Sequence, residues 1–240
     1  VAFLPRHGSN HDLLPHEIPS RANVWALKQL GVEGILSVAA VGSLEEHVTP
    51  LSMVVPDQLI DWTRRGPIAT FFGEGVAAHA SIADPFCPQL STRIVAAAQD
   101  QGQKIHSSGT YLCIDGPHFS TRAESTMYRM WGATIIGMTL AAEAKLAREA
   151  EISYAALAIV TDYDVWRSAD PDVNSALILD RLNQSTIIAQ KIIFSVLEGI
   201  PNGWISTARG AMEDSIITDQ SRLSPERQAS LPITLNKTRK

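Results

Sequence analysis

Cysteine is scarce in this chain. Its 240 residues include two, Cys87 and Cys113, each in an apolar setting. That excludes a disulfide framework and reads as buried thiols in a reducing compartment, so the cytoplasm is the expected location. Positive charge is not in excess either: 20 Lys and Arg against 25 Asp and Glu leave a net charge of -5. No electrostatic argument therefore draws the chain to nucleic acid or to an anionic membrane. No apolar run approaches the roughly 20 residues that cross a bilayer. The opening Val1-Ala2-Phe3-Leu4 has neither a basic lead nor a small-residue cleavage site. Internal repeats and core-splitting linkers are lacking too. With 45% hydrophobic and 19% charged residues, the chain suits one large domain over 1–240 with a sizeable core.

What is present alternates between two periodicities. Val1 to Pro5 reads as a short buried strand running into Arg6-His7-Gly8, followed by a loop rich in His and Pro up to Pro19. Ser20 is placed to cap a helix through Leu30, with Gly31 as its stop. Ile35 to Val41 is a near-continuous apolar run, as in a strand buried on both faces. Met53 to Ile60 reads as a strand, followed by a polar loop with Arg64, Arg65, Gly66 and Pro67, and Phe71 to Pro88 reads as irregular. Helices are expected over Ser91–Gln101, Ser120–Trp131, Thr139–Ala150 and about Val173–Glu198, and strands over Thr110–Ile114, Thr134–Met138 and Tyr154–Val160. Beyond about residue 205 the chain turns polar, so a peripheral tail frayed towards Asn236–Lys240 is expected. The pattern predicts an α/β fold: a single domain with a central mixed, largely parallel sheet flanked by helices.

Polar residues gather where apolar runs break. Arg6 beside His7 is a natural anion site, because guanidinium binds phosphate through a planar fork. Thr139 at a helix start adds a hydroxyl and free amides, and the small residues from Ala39 and Ala40 to Gly42 let backbone N–H groups approach an oxyanion. Taken together these suggest a phosphate pocket. Phe119, in the turn Gly116-Pro117-His118-Phe119-Ser120, can stack on a flat heterocycle or sit as a core ring beside a helix cap. Asp162 and Asp164, after a buried strand, can bind Mg²⁺, form an ion pair or read a nucleobase. The further acidic ligands a metal needs are not evident, so no metal and no cofactor are expected.

These motifs occur together in a known family. Phe3-Leu4-Pro5-Arg6-His7-Gly8 with His11, Arg21 through Leu27, Val41-Gly42-Ser43-Leu44, Asp84-Pro85-Phe86-Cys87-Pro88, Ile114 through Ser125, Gly137-Met138-Thr139 and Thr161-Asp162-Tyr163-Asp164 with Trp166 appear in this order. With them the chain resembles the methylthioadenosine phosphorylase branch of the trimeric purine nucleoside phosphorylase family. The resemblance implies phosphorolysis of 5′-methylthioadenosine to adenine and 5-methylthioribose 1-phosphate, with inorganic phosphate as co-substrate. It also implies a homotrimer whose partners are a small nucleoside and phosphate. Carried over to this sequence, it puts Arg6, His7, Ala39, Ala40 and Thr139 at phosphate, Phe119 and Ser120 at the purine, and Met138 at the ribose. Asp162 would activate the leaving base at N7, and Asp164 would lie near the 6-amino group. His79 would reach a substrate in a neighbouring subunit, and Ser175, Ile178 and Leu179 would line the 5′-alkylthio pocket.

Departures from the family pattern are equally specific. Its Gly-rich phosphate loop, expected upstream of the Arg-His pair, has no counterpart in this sequence. Ala39 stands where a hydroxyl residue is common, and Trp62 where Arg is usual. Two alternatives follow: a non-catalytic nucleoside-binding homologue, and a phosphorylase of 6-oxopurine nucleosides. Relatives of the latter kind carry Glu at the position of Ser120 and Asn at that of Asp162. Arg6-His7-Gly8 also matches the histidine phosphatase signature, but that chemistry needs a second His late in the chain, and the last here is His118.

Overall fold

The computed structural model of the protein describes residues 1–64, 69–167 and 174–233. Arg65, Gly66 and Pro67 of the expected polar loop, Val173 at the expected helix start and the terminal Asn236 to Lys240 lie outside them. The sheet is built from β1 (Gly34–Ser43), β2 (Met53–Val54), β3 (Gln58–Asp61), β4 (Ile105–His106), β5 (Thr110–Cys113), β6 (Ile135–Gly137) and β7 (Ser153–Asp162). Helices are α1 (Ser20–Gln29), α2 (Pro88–Asp100), α3 (Arg122–Met130), α4 (Leu140–Glu149), α5 (Ser175–Glu198) and α6 (Pro225–Ala229). Strand order is β3-β5-β6-β1-β7-β2-β4. Pairing is parallel except where β6 meets β1 and where β2 meets β7. The fold is thus α/β with a mixed, largely parallel sheet.

Two readings of single strands change. Met53 to Ile60 is not continuous, because Pro56 lacks an N–H and the chain parts into β2 and β3. These two lie near opposite ends of the strand order, five neighbours apart, which in a flat sheet is about 24 Å. The link from Val54 to Gln58 spans about 14 Å at most, so the sheet curls until its ends approach. Val1 to Pro5 forms no strand and is exposed, with Phe3 resting at 6.1 Å from the Phe194 ring of α5. The segment is apolar throughout rather than alternating, and Pro5 cannot donate to a ladder.

β7 anchors the core: all ten of its positions are buried. Tyr154, Ala156, Ala158 and Val160 pack with Leu146 and Ala147 of α4 on one face. Ala155, Leu157 and Ile159 pack on the other with Leu90 and Ile94 of α2 and Ala189, Ile192 and Val196 of α5. Helices on both faces explain why this strand reads as an unbroken apolar run.

Smaller corrections concern ends. Ser20 opens α1 instead of capping it, and Thr121, not Ser120, caps α3, with Glu124 closing a reciprocal box. Residues 206–233 are packed rather than frayed; the expected fraying at Asn236–Lys240 falls outside the described residues. Met212, Ile216, Leu231 and Ile233 bury against Phe72 and Val76, and Glu33 accepts from the Ser206 amide at 2.8 Å. Spaced apolar residues among many polar ones hid this small cluster. Among the described residues, no helix is long and apolar enough to cross a membrane.

Candidate functional site

The site follows from the direction of β6. Running antiparallel to β1, it pairs only at Gly42 and Ser43, then turns at Gly137 into Met138, Thr139 and α4. Along Gly34–Val41, β1 has β7 on one side and, among the described residues, no strand on the other. A cleft of about 1740 Å³ opens along this edge. Ala39 and Ala40 therefore lie within β1, not at its end, and the backbone edge they belong to faces the cleft.

Of the residues expected in the site, Arg6, His7, Ala39, Ala40, Phe119, Ser120, Met138, Thr139, Asp162, Asp164, Ser175, Ile178 and Leu179 all line this cleft. His79 does not; it is exposed, with its amide bonded to the Ser215 carbonyl at 2.9 Å. Two glycines permit the close packing. A Cβ on Gly42 would lie 2.9 Å from Asp162 Oδ1, and one on Gly116, whose φ is +65°, would lie 2.5 Å from Met138 Sδ.

One end of the cleft is a carboxylate pair. Asp162 is 6% exposed and ends β7 opposite Gly42. Its Oδ2 accepts from the Thr161 hydroxyl at 2.7 Å, and its Oδ1 from the Asp164 amide at 2.7 Å. Burial, the largest effect, raises its pKa above the ordinary carboxylate value; the two donors and Arg181 oppose that, and the neighbouring Asp164 adds to it. Asp164 is also raised, again chiefly by burial, while the Ser125 and Ser120 hydroxyls favour its charged form. Asp164 Oδ2, Ser120 Oγ and Ser125 Oγ are buried and lack a hydrogen bond of good geometry. Of these residues Asp164 and Ser120 line the cleft, where a bound polar ligand can satisfy them, while Ser125 stands behind Asp164.

The loop that presents the pair is tied on three sides. Trp166 Nε1 donates to the Ser43 carbonyl at 2.8 Å, Arg122 to the Val165 carbonyl at 2.9 Å, and Arg181 of α5 to the Thr161 carbonyl at 2.9 Å. Asp164 itself has φ +50°, a left-handed conformation that Asp tolerates better than most residues. Phe119 stands 38% exposed at the cleft, not in the core.

The other end is cationic and sits in a turn, not at a strand end. Arg6 donates to Ser37 Oγ at 2.9 Å and to the Val38 carbonyl at 2.7 Å, and its Nε lies 3.4 Å from Glu143 Oε1. His7 Nδ1 lies 2.9 Å from the Leu13 carbonyl. A carbonyl only accepts, so Nδ1 holds the proton. Burial lowers the His7 pKa, which favours the neutral ring and leaves Nε2 an acceptor. Thr139 starts α4 without using its side chain as a cap, and its amide points to the Tyr111 hydroxyl at 3.3 Å. A free hydroxyl at a helix N-terminus, an arginine and an unpaired strand edge together suit a phosphate.

Four participants escaped the sequence reading. Ser37, Glu143 and Tyr154 stand behind Arg6, and Ser125 stands beside Asp164. Glu143 had one available signal, since it follows Thr139 by four residues and shares its helix face. Ser125 lies inside the run Ile114 through Ser125 but has no assigned role before α3 is docked. Among the described residues no group of three His, Cys, Asp or Glu could hold a metal ion.

Comparisons with known proteins show the family. A family model described as "Phosphorylase superfamily" matches residues 1–198. The S-methyl-5'-thioadenosine phosphorylase of Geobacter sulfurreducens is 45% identical over 98% of this chain and 82% of its own length. That of Hyperthermus butylicus is 50% identical over 84% and 73%, respectively. A crystal structure of a methylthioadenosine phosphorylase from an antarctic soil metagenomic library superposes with a TM-score of 0.89, at 45% identity, over 95% of this chain and 81% of that one. A mutant adenosine/methylthioadenosine phosphorylase from Schistosoma mansoni, solved with methylthioadenosine, gives a TM-score of 0.77 at 36% identity, over 81% of this chain and 74% of that one.

Proposed function

This chain belongs to the phosphorylase superfamily, and on that premise we propose that it cleaves the N-glycosidic bond of 5′-methylthioadenosine with inorganic phosphate, releasing adenine and 5-methylthioribose 1-phosphate. The observation that carries this reading is one cleft with an arginine and a helix N-terminus at one end and a buried, protonation-prone carboxylate pair at the other. The whole chain is read as a single nucleoside phosphorylase domain. Inorganic phosphate is the co-substrate, and no step below calls for a metal or prosthetic group.

In this reading Arg6 and the Thr139 hydroxyl hold phosphate, with backbone amides near Ala39 and Ala40 assisting. Phe119 stacks on the purine, Ser120 borders it and Met138 packs on the ribose. Ser175, Ile178 and Leu179, at the start of α5, receive the 5′-methylthio group. As the C1′–N9 bond breaks, its electron pair withdraws into the base and Asp162, in its protonated form, donates to N7. A phosphate oxygen bonds to C1′, and the one proton of monohydrogen phosphate passes to His7 Nε2. The proton gained by adenine and the one lost by phosphate balance, and exchange with water restores Asp162 and His7. Holding both reactants in line and placing charge where it develops supply most of the rate.

Adenine is preferred over 6-oxopurines because Asp164 Oδ2, which has no hydrogen bond of good geometry, can accept from an exocyclic amine. A carbonyl there would meet like charge. A homotrimer completes the proposal, with His79 reaching the 5′ end of a substrate in the next subunit; the cytoplasm is the location that fits two unpaired, buried thiols. The test is adenine release from methylthioadenosine with and without phosphate, with inosine as the competing substrate. Phosphate-dependent release is expected. Binding of the nucleoside without release would favour the non-catalytic alternative, and faster cleavage of inosine would overturn the base assignment.

A further inference from the structure

Arg6 comes, with His7, from a turn rather than a strand or helix, and the flanking residues Val1 to Pro5 are exposed. Its aim must therefore be set by what it touches. Glu143, in the first turn of α4, is 13% exposed in its side chain. Its Oε2 accepts twice, from the Tyr154 hydroxyl of β7 at 2.6 Å and from Ser37 Oγ of β1 at 2.9 Å. Its Oε1 faces Arg6 Nε at 3.4 Å, and Ser37 in turn accepts from Arg6 Nη1. Burial pushes the Tyr154 pKa well above its ordinary value, so that hydroxyl stays a donor. Guanidinium has five N–H donors. Two serve Ser37 and the Val38 carbonyl, the Nε–H stands in ion-pair contact with Glu143 without a formed hydrogen bond, and one N–H on each Nη is left for an anion.

From this arrangement we infer that Glu143, held by Tyr154 and Ser37, is the positioning residue that orients Arg6 for phosphate. The inference rests on the phosphate reading of Arg6 given above. Glu143 does not touch phosphate, and a carboxylate so close to an anion site would repel the ligand if it were free. Two hydrogen bonds to Oε2 and the Arg6 cation at Oε1 draw its charge inward. The same contacts tie β1, α4 and β7 together at the cleft floor, so the arginine is registered against the same α4 that carries Thr139 at its start.

The experiment measures phosphate KM and methylthioadenosine KM separately for Glu143→Ala, Glu143→Gln, Tyr154→Phe and Arg6→Ala. Inorganic phosphate binding by calorimetry runs alongside as a readout independent of turnover. Glu143→Ala is expected to raise phosphate KM about tenfold or more and leave nucleoside KM within about twofold. Glu143→Gln, which keeps an acceptor but loses the charge, should recover part of the loss, and Tyr154→Phe should shift phosphate KM in the same direction by less. A purely structural role would move both KM values together, and that result overturns the inference. If Glu143→Ala does not fold, Tyr154→Phe, which removes one oxygen, decides, and an unchanged phosphate KM or affinity overturns it. Should Arg6→Ala leave phosphate unaffected, or the parent bind none, the phosphate reading itself falls. A large effect of Arg6→Ala with none from Glu143 or Tyr154 defeats this inference alone.

Discussion

The two ends of the cleft handle buried polarity in opposite ways. At the anion end, Arg6, Ser37, Glu143 and Tyr154 bond mainly to one another, and the buried Arg6 Nε alone among them has only an ion-pair contact. At the base end, Asp164 Oδ2, Ser120 Oγ and Ser125 Oγ are buried with no well-formed bond. A satisfied network is rigid and fixes an orientation before ligand arrives. An unsatisfied one costs stability until a ligand with matching donors fills it, which makes it selective. One cleft thus combines a preset clamp for a small symmetric anion with a demanding pocket for a base that must be told from its near relatives.

Substitutions can break that contrast. The largest effect is expected from Asp162→Asn, which removes the proton donor while keeping the shape of the side chain. Its kcat should fall about 10²- to 10⁴-fold, with phosphate KM little changed, as steady-state kinetics would show; activity close to the parent's would remove Asp162 from leaving-group activation. Phe119→Ala should be milder. Loss of base stacking is worth about 1–3 kcal/mol, so nucleoside KM should rise by roughly tenfold while phosphate KM stays put. Equal changes in both would show that the two ends are not separable in this way.

The smallest effect concerns stability and pH. Burial raises the Asp162 pKa in the folded protein. Such a group contributes stability that is fully present below its unfolded pKa and lost as pH rises through the folded value. Asp162→Asn, free of that charge, should therefore melt higher than the parent near neutral pH. The difference should shrink as pH falls through the raised value towards the ordinary carboxylate range. Thr161 can follow the change, since its hydroxyl has the Val41 carbonyl at 3.2 Å as a second acceptor. Melting curves at several pH values would check the sign, and a parent more stable than the variant at neutral pH would contradict it.

How far the sequence reached can be judged residue by residue. Phe119, Met138, Thr139, Asp162 and Asp164 were legible because each follows an apolar run, where a polar or aromatic residue is conspicuous. Their convergence on one cleft was not derivable from strand ends alone, since β6 runs against β1 and turns its own end back along that strand from Ser43 and Gly42. Arg6 was legible by type but was misplaced, because an apolar pentapeptide reads as a strand whether or not a sheet edge receives it. Tyr154 was legible only as one more residue of a buried strand. Its hydroxyl acquires meaning when α4 sets Glu143 2.6 Å away. The packed segment 206–233 escaped because the spacing of Met212, Ile216, Leu231 and Ile233 shows no period.

By itself, the sequence determined the local grammar: apolar runs that become strands, a capping box at Thr121 and Glu124, a chain-breaking Pro56, and the chemical types able to bind an anion or protonate a base. Those depend on neighbours a few residues away, and short-range sterics and hydrogen bonding decide them. Only the tertiary structure decided the antiparallel turn of β6, the curl that brings β2 and β3 within reach of a short link, and the pairing of Glu143 with Tyr154. Each joins residues far apart in the chain, where burial and long-range packing override local preference.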